Sequence, residues 1–304
     1  MTVQPLIVVG VDGSWRRTGA LEWALHEALL RRTPLRAVHV VDQHAQSYGP
    51  VDIDGQRYRP VPVDDEATML MDEVARHVRA VDPALDLDAD IVAGPPGRKL
   101  AEIGADARML VVGRRGLGTF TRLLIGSTSE AAANHAQGPV VVVPDDWQPQ
   151  RHRGEPIVVG VDGTSPSEAA LEFAFEAATA HDVPLWMVHV WDVPPAAAWD
   201  TAAISDVHDR WKAIAERTLD QVAEQWHRKY PDVDLRQKAR QSHPVLGLLD
   251  AATATDAQLL IVGGRRQNRM TGLLLGSVAR GVLHHATWPV AVVHERRGAQ
   301  RLES

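Results

Sequence analysis

The chain has 304 residues, 45% of them hydrophobic and 23% charged, with 39 acidic against 32 basic side chains and a formal charge of −7. That length allows two ordinary domains with sizeable cores, and the acidic balance argues against a general nucleic-acid binder. With no cysteine in the chain, disulfides, thiolate catalysis, iron–sulfur clusters and cysteine-ligated zinc are excluded.

The chain opens on an apolar β-branched run, "LIVVGV" at 6–11, followed directly by Asp12 and Gly13. With no basic residues before it and an acid straight after, this run reads as a buried strand and not a signal peptide. "ALEWALHEALLRR" at 20–32 has helical periodicity, and "RAVHVV" at 36–41 is a second strand. Residues 43–65 are irregular, the pattern of a functional lid or a disordered loop. "EATMLMDEVARHVRAV" is helical again, and the acids at 82, 86, 88 and 90 alternate as the wet face of a strand does, with a metal site there disfavoured. "MLVVG" at 109–113 and "PVVVV" at 139–143 are the last strands, with a helix opening at Gly126 and Ser127 between them. No apolar run approaches the roughly 18 residues of a spanning helix, so a cytoplasmic protein without membrane insertion is expected.

This whole pattern then repeats. "VVGVDGS" from Val8 recurs as "VVGVDGT" from Val158, so Asp12 and Gly13 match Asp162 and Gly163, and Val40 in "VHVVD" matches Val190 in "VHVWD". "MLVVG" returns as "LLIVG" ending at Gly263, and "LLIGS" as "LLLGS" ending at Ser277. The chain is two copies of one domain, with expected boundaries 1–147 and 155–304 and a charged, proline-bearing linker at 148–154. Strands alternating with helices predict two tandem doubly wound, Rossmann-like α/β domains, each a five-stranded parallel sheet with helices on both faces.

In such sheets ligands sit beyond the carboxyl ends of the strands, where strand order switches. Asp12, Gly13, Val40, Asp42 and Gly113 to Gly116 all follow strands, and Gly126 with Ser127 opens a helix. Glycine permits positive φ and close approach of backbone N–H groups to an anion. Ser127 with Glu130 has the spacing of a capping box that would aim the helix's positive end at a phosphate. Ordinary turns and a simple cap satisfy the same pattern, and both readings stand at this point.

The spacing Gly113-x2-Gly116-x9-Gly126-Ser127, with "VGVDGS" and "HVVD" upstream, resembles the universal stress protein family in its tandem two-domain form, over nearly the whole chain. The resemblance implies adenine nucleotide binding, with ATP preferred and magnesium compatible beside the phosphates. It would place Asp12 at the ribose, the Val40 backbone at the adenine, and Gly113 to Gly116 with Gly126, Ser127 and Thr128 at the phosphates. It also implies chains pairing through their last strands, hence a homodimer, and a regulatory role in stress tolerance, growth arrest or dormancy exerted on an unidentified protein partner.

The second copy departs from the signature: Gly263, Gly276 and Ser277 are retained, but Arg266 replaces the second glycine, Val278 replaces Thr128 and Arg280 replaces Glu130. A Cβ at 266 blocks close backbone approach, whereas a guanidinium at Arg266 or Arg265 clamps phosphate directly. Arg114, Arg115 and Arg122 are either phosphate contacts or solvated.

Rival chemistries fare worse. "GVDGSWRRTG" is not the Gly-x-Gly-x-x-Gly of a dinucleotide dehydrogenase, and no Gly-x4-Gly-Lys-Ser/Thr occurs. His39 and His189 recur within apolar strands and read as hydrogen-bonded core histidines, while His284 and His285 suit a helix end. No nucleophile and base stand together, so the expectation is a binding protein, at most a slow ATPase. The alternatives are an adenine-nucleotide-dependent hydrolase or transferase on this fold, and a nucleotide-independent interaction module.

Overall fold

The computed structural model describes residues 6–42, 51–53, 56–58, 63–115, 125–145, 147–149, 154–162, 168–192, 204–264 and 275–294. They fall into two compact units, Met1–Pro149 and Gln150–Ser304.

The first unit contains β1 (Ile7–Gly10), α1 (Ala20–Arg31), β2 (Leu35–Val41), β3 (Val51–Ile53), β4 (Gln56–Tyr58), α2 (Val63–Val81), β5 (Leu87–Ala93), α3 (Pro96–Ile103), β6 (Met109–Gly113), α4 (Ser127–His135) and β7 (Val140–Val143). Its main sheet runs β7-β6-β1-β2-β5 with every pairing parallel. The central strands are valine- and isoleucine-rich because helices cover both faces, and Ile7, Val8, Val9, Met109 and Val111 are fully buried. β5 lies at the end of that order with Asp88, Ala89, Ile91 and Ala93 exposed, and half-buried Asp90 is paired to Arg36 at 2.6 Å. The acids anticipated on one strand face are therefore partly consumed by cross-strand pairing. Within the irregular 43–65 stretch, β3 and β4 form a short antiparallel hairpin, which hydrophobic periodicity did not signal.

The second unit contains β8 (Ile157–Val161), α5 (Glu168–His181), β9 (Leu185–Trp191), α6 (Ile204–Lys229), β10 (Leu235–Gln241), α7 (Pro244–Thr255), β11 (Leu259–Gly263), α8 (Ser277–His285) and β12 (Val290–Val293). Its order, β10-β9-β8-β11-β12, reproduces the first. In both units the chain moves outward in one direction from the first strand and then returns to its other side. The switch point thus lies between β1 and β6, and between β8 and β11. Among the described residues no helix is long and apolar enough to cross a membrane.

α1 ends on Arg32 in the left-handed region, at φ 50°, its N–H returning to the Ala28 and Leu29 carbonyls, and Asp182 and Asp256 adopt the same conformation at φ 53° and 50°. α1 begins at Gly19, where a Cβ would stand 2.5 Å from the Cβ of Trp147. That glycine is required by packing rather than by dihedral angle.

Candidate nucleotide site at the switch point

The loop after β1 is locally determined. Asp12 Oδ1 accepts hydrogen bonds from the Ser14 N–H, at 2.9 Å, and from the Ser14 hydroxyl, forming an Asx turn. Trp15, 5% exposed, anchors the loop against His77 of α2 with ring centroids 5.1 Å apart, and His77 Nε2 lies 2.6 Å from Glu22 Oε1. Gly13 is exposed beside this turn.

β2 pairs with β1 only as far as Val38, yet it continues to Val41. Val40 therefore lies beyond the end of β1, on the crevice side of the sheet. His39 explains how that overhang is held: its Nδ1 donates to the Val11 carbonyl at 2.9 Å, and His189 repeats the bond to Val161 at 2.7 Å. A carbonyl only accepts, so each Nδ1 carries the hydrogen. Both histidines are half-buried structural ties, as their recurrence suggested.

Across the switch point, β6 ends at Gly113, where a Cβ would meet Thr18 at 2.9 Å. Arg114 donates its N–H to the Val143 carbonyl at 2.7 Å, and its own carbonyl accepts from the Gly126 N–H at 2.8 Å. This last bond brings the start of α4 onto the end of β6. Gly126 has φ −67° and ψ 149°, so it needs no left-handed freedom; its missing Cβ would stand 3.1 Å from the Arg114 oxygen. The glycines are thus selected for close approach, and positive φ is not the reason at Gly113 or Gly126.

The capping box does not form. Gly126 is the N-cap, Ser127 is the first helical residue, and no side chain caps the helix. Ser127 is exposed and Thr128 half-buried. A helical start one residue earlier than the spacing implied removes Ser127 from the capping position and leaves the helix opening without a side-chain cap. The hydroxyl that acts structurally is Ser129, 3% exposed, donating to the Gly113 carbonyl at 2.5 Å. Three hydroxyls in "STSE" look alike in sequence, and only helical phase tells which turns inward.

Arg114 and Arg115 are not simply solvated. Arg114 is only 8% exposed; burial, then the neighbouring Arg115, hold its guanidinium below the ordinary arginine value, and Asp145 opposes them. Arg115 pairs with Asp145 at 3.0 Å. Gly116 and Arg122 lie outside the described residues.

In the second unit Asp162 is exposed directly after β8, Val190 is half-buried with Gly247 packed against it, and Gly263 ends β11. Gly276 caps α8 at φ −60° and ψ 151°, with Ser277 exposed at the first helical position and Val278 half-buried after it, so the helix opening is duplicated. Gly163, Arg265 and Arg266 lie outside the described residues. No group of three or more metal-ligating side chains occurs among the described residues.

Comparison with known proteins agrees with this architecture. The universal stress protein family model matches residues 6–144 and again 154–294. A universal stress protein of Mycolicibacterium smegmatis is 34% identical over 95% of this chain and 97% of its own. A crystal structure of a universal stress protein from Archaeoglobus fulgidus covers 97% of this chain and 98% of its own at TM-score 0.68 and 19% identity, which speaks to the fold. A universal stress protein solved in complex with cAMP matches 46% of this chain and 96% of its own, at 26% identity and TM-score 0.31. Two matches to one family model, one on each unit, identify the chain as a tandem member of the universal stress protein family.

Proposed function

We propose that the chain is an adenine-nucleotide-binding regulator, taking ATP at the switch point of each unit and acting through a protein partner in stress response, growth arrest or dormancy. The observation that carries this is the opening of α4 at Gly126, without a side-chain cap and pinned to the end of β6, with an opening of the same backbone geometry at Gly276 of α8. A helix end with no side-chain cap favours an anion. Ser127 and Thr128 would add hydroxyls, Asp12 and the Val40 overhang would hold the nucleoside, and Asp162, Val190 and Ser277 would do the same in the second unit. Magnesium would accompany the phosphates. Regulation would follow from different nucleotide affinity in two conformations, with homodimerisation as an added level of control.

Nucleotide content tests the reading. Protein purified natively and then denatured should release close to two adenine nucleotides per chain, and one in each of Gly116→Val and Gly276→Val, with unchanged melting temperatures as the folding control. No bound nucleotide after dialysis against millimolar ATP overturns it. Multiple turnover of ATP would favour the hydrolase alternative.

A further inference from the structure

The outer strands of the two units are built on one plan and carry opposite charge. β5 and β10 each end their strand order, so along one edge of each the backbone N–H and C=O groups meet no further strand among the described residues. β5 begins with Leu87 beside Leu35 of β2, and β10 with Leu235 beside Leu185 of β9, which is the same place in the repeat. Asp88 therefore corresponds to Arg236, Asp90 to Lys238 and Val92 to Arg240. Alternate residues of a strand share a face, so β5 carries one acidic row and β10 one basic row. The opposite rows, Ala89, Ile91 and Ala93 on β5 and Gln237, Ala239 and Gln241 on β10, hold no charge.

The change of sign has a local cause. In the first unit Arg36 of β2 pairs with Asp90 at 2.6 Å; in the second, Trp186 stands at the position of Arg36, and the Arg236 guanidinium lies 5.8 Å from the centre of its ring. Arg236 and Arg240 also reach Asp234, at 2.8 Å, and Asp250, at 2.6 Å. Beyond those pairs, Asp88 and Lys238, both exposed, set the sign that each edge shows to solvent.

We infer that β5 of one copy of this chain adds to β10 of a second copy, extending the sheet from chain to chain. An edge strand offers main-chain hydrogen bonds to any partner strand, so the charges choose the partner. Two β5 edges repel and two β10 edges repel. Only the unlike pair sets Asp88 and Asp90 against Arg236 and Lys238 on a shared face, in a parallel or an antiparallel register alike. The uncharged rows then meet on the other face, where Ile91, 42% exposed, gains cover. Contact between two different patches is heterologous and builds rings or open chains of copies. It asks nothing of nucleotide binding and uses strands other than the last ones.

Sedimentation equilibrium of the full chain at low salt tests the pairing. Weight-average mass should rise with concentration. Asp88→Lys or Lys238→Glu alone should weaken association about tenfold, because each variant then carries like signs on both edges. Mixed in equal amounts, the two variants should regain the association of the unaltered chain, since the basic edges of one meet the acidic edges of the other. The double variant Asp88→Lys/Lys238→Glu, with the signs exchanged, should also associate, which shows in addition that neither substitution unfolds the chain. The inference is overturned by a mass that does not change with concentration, or by a mixture and a double variant no more associated than the single ones. Association indifferent to the single variants overturns it too, and leaves pairing through the last strands to account for the mass.

Discussion

The two units share a strand order and a helix opening, but they fill the space beyond the ends of their last two strands with different residues. After β6 the first unit places Arg114, 8% exposed, while at the equivalent position after β11 the second has Gly264, and the bulk comes instead from His294, 3% exposed, past β12. The same exchange occurs between helices. In the first unit Gly97 of α3 faces Ala131 of α4, and in the second Val245 of α7 faces Gly281 of α8, each glycine within 2.7 Å of a clash if given a Cβ. Duplication preserved the close contact in each case, while which partner is the glycine was free to exchange.

Four substitutions would break or sharpen that comparison. The largest effect is expected at Glu27, 1% exposed and paired to Arg31 at 2.7 Å, where the second unit has Ala177 and His181. Glu27→Ala should cost about 3–5 kcal/mol in urea unfolding, because Arg31 is left buried without its carboxylate, and Glu27→Ala/Arg31→His should recover part of it. A fully additive double variant would mean that the pair does not stabilise the first unit as a pair.

Next comes Gly264→Ala, whose Cβ would stand 2.3 Å from His294 Cε1. A loss of about 2–3 kcal/mol is expected, with His294→Ala on the same chain relieving most of the clash. Gly281→Ala meets Val245 at 2.6 Å and should cost about 1–2 kcal/mol, relieved by Val245→Ala; calorimetric melting of the single and double variants checks the coupling. The smallest effect belongs to Arg115→Ala. Its pair with Asp145 is partly exposed, 27% and 28% at the two side chains, so about 0.5 kcal/mol is expected, and 0.5 M salt should erase it.

Much of the fold was legible in the sequence because parallel strands buried on both faces leave continuous apolar runs, and because the repeat supplied each element twice. The site was legible in outline for a related reason: Asp12, Gly113, Gly126 and Ser127 sit at strand or helix ends, where topology alone brings them together. What escaped was whatever depends on tertiary juxtaposition. Trp147 against Gly19, Thr18 against Gly113 and His294 against Gly264 are pairs distant in sequence, and no spacing announces them. Ser129 escaped through helical phase, since a start at Ser127 rather than after it decides which hydroxyl of "STSE" faces β6.

The bond from the Gly126 N–H to the Arg114 carbonyl carries one more consequence. It closes the chain at residue 126 back onto residue 114, so the sheet itself sets where α4 opens, and any change that shifts the end of β6 carries the helix opening with it.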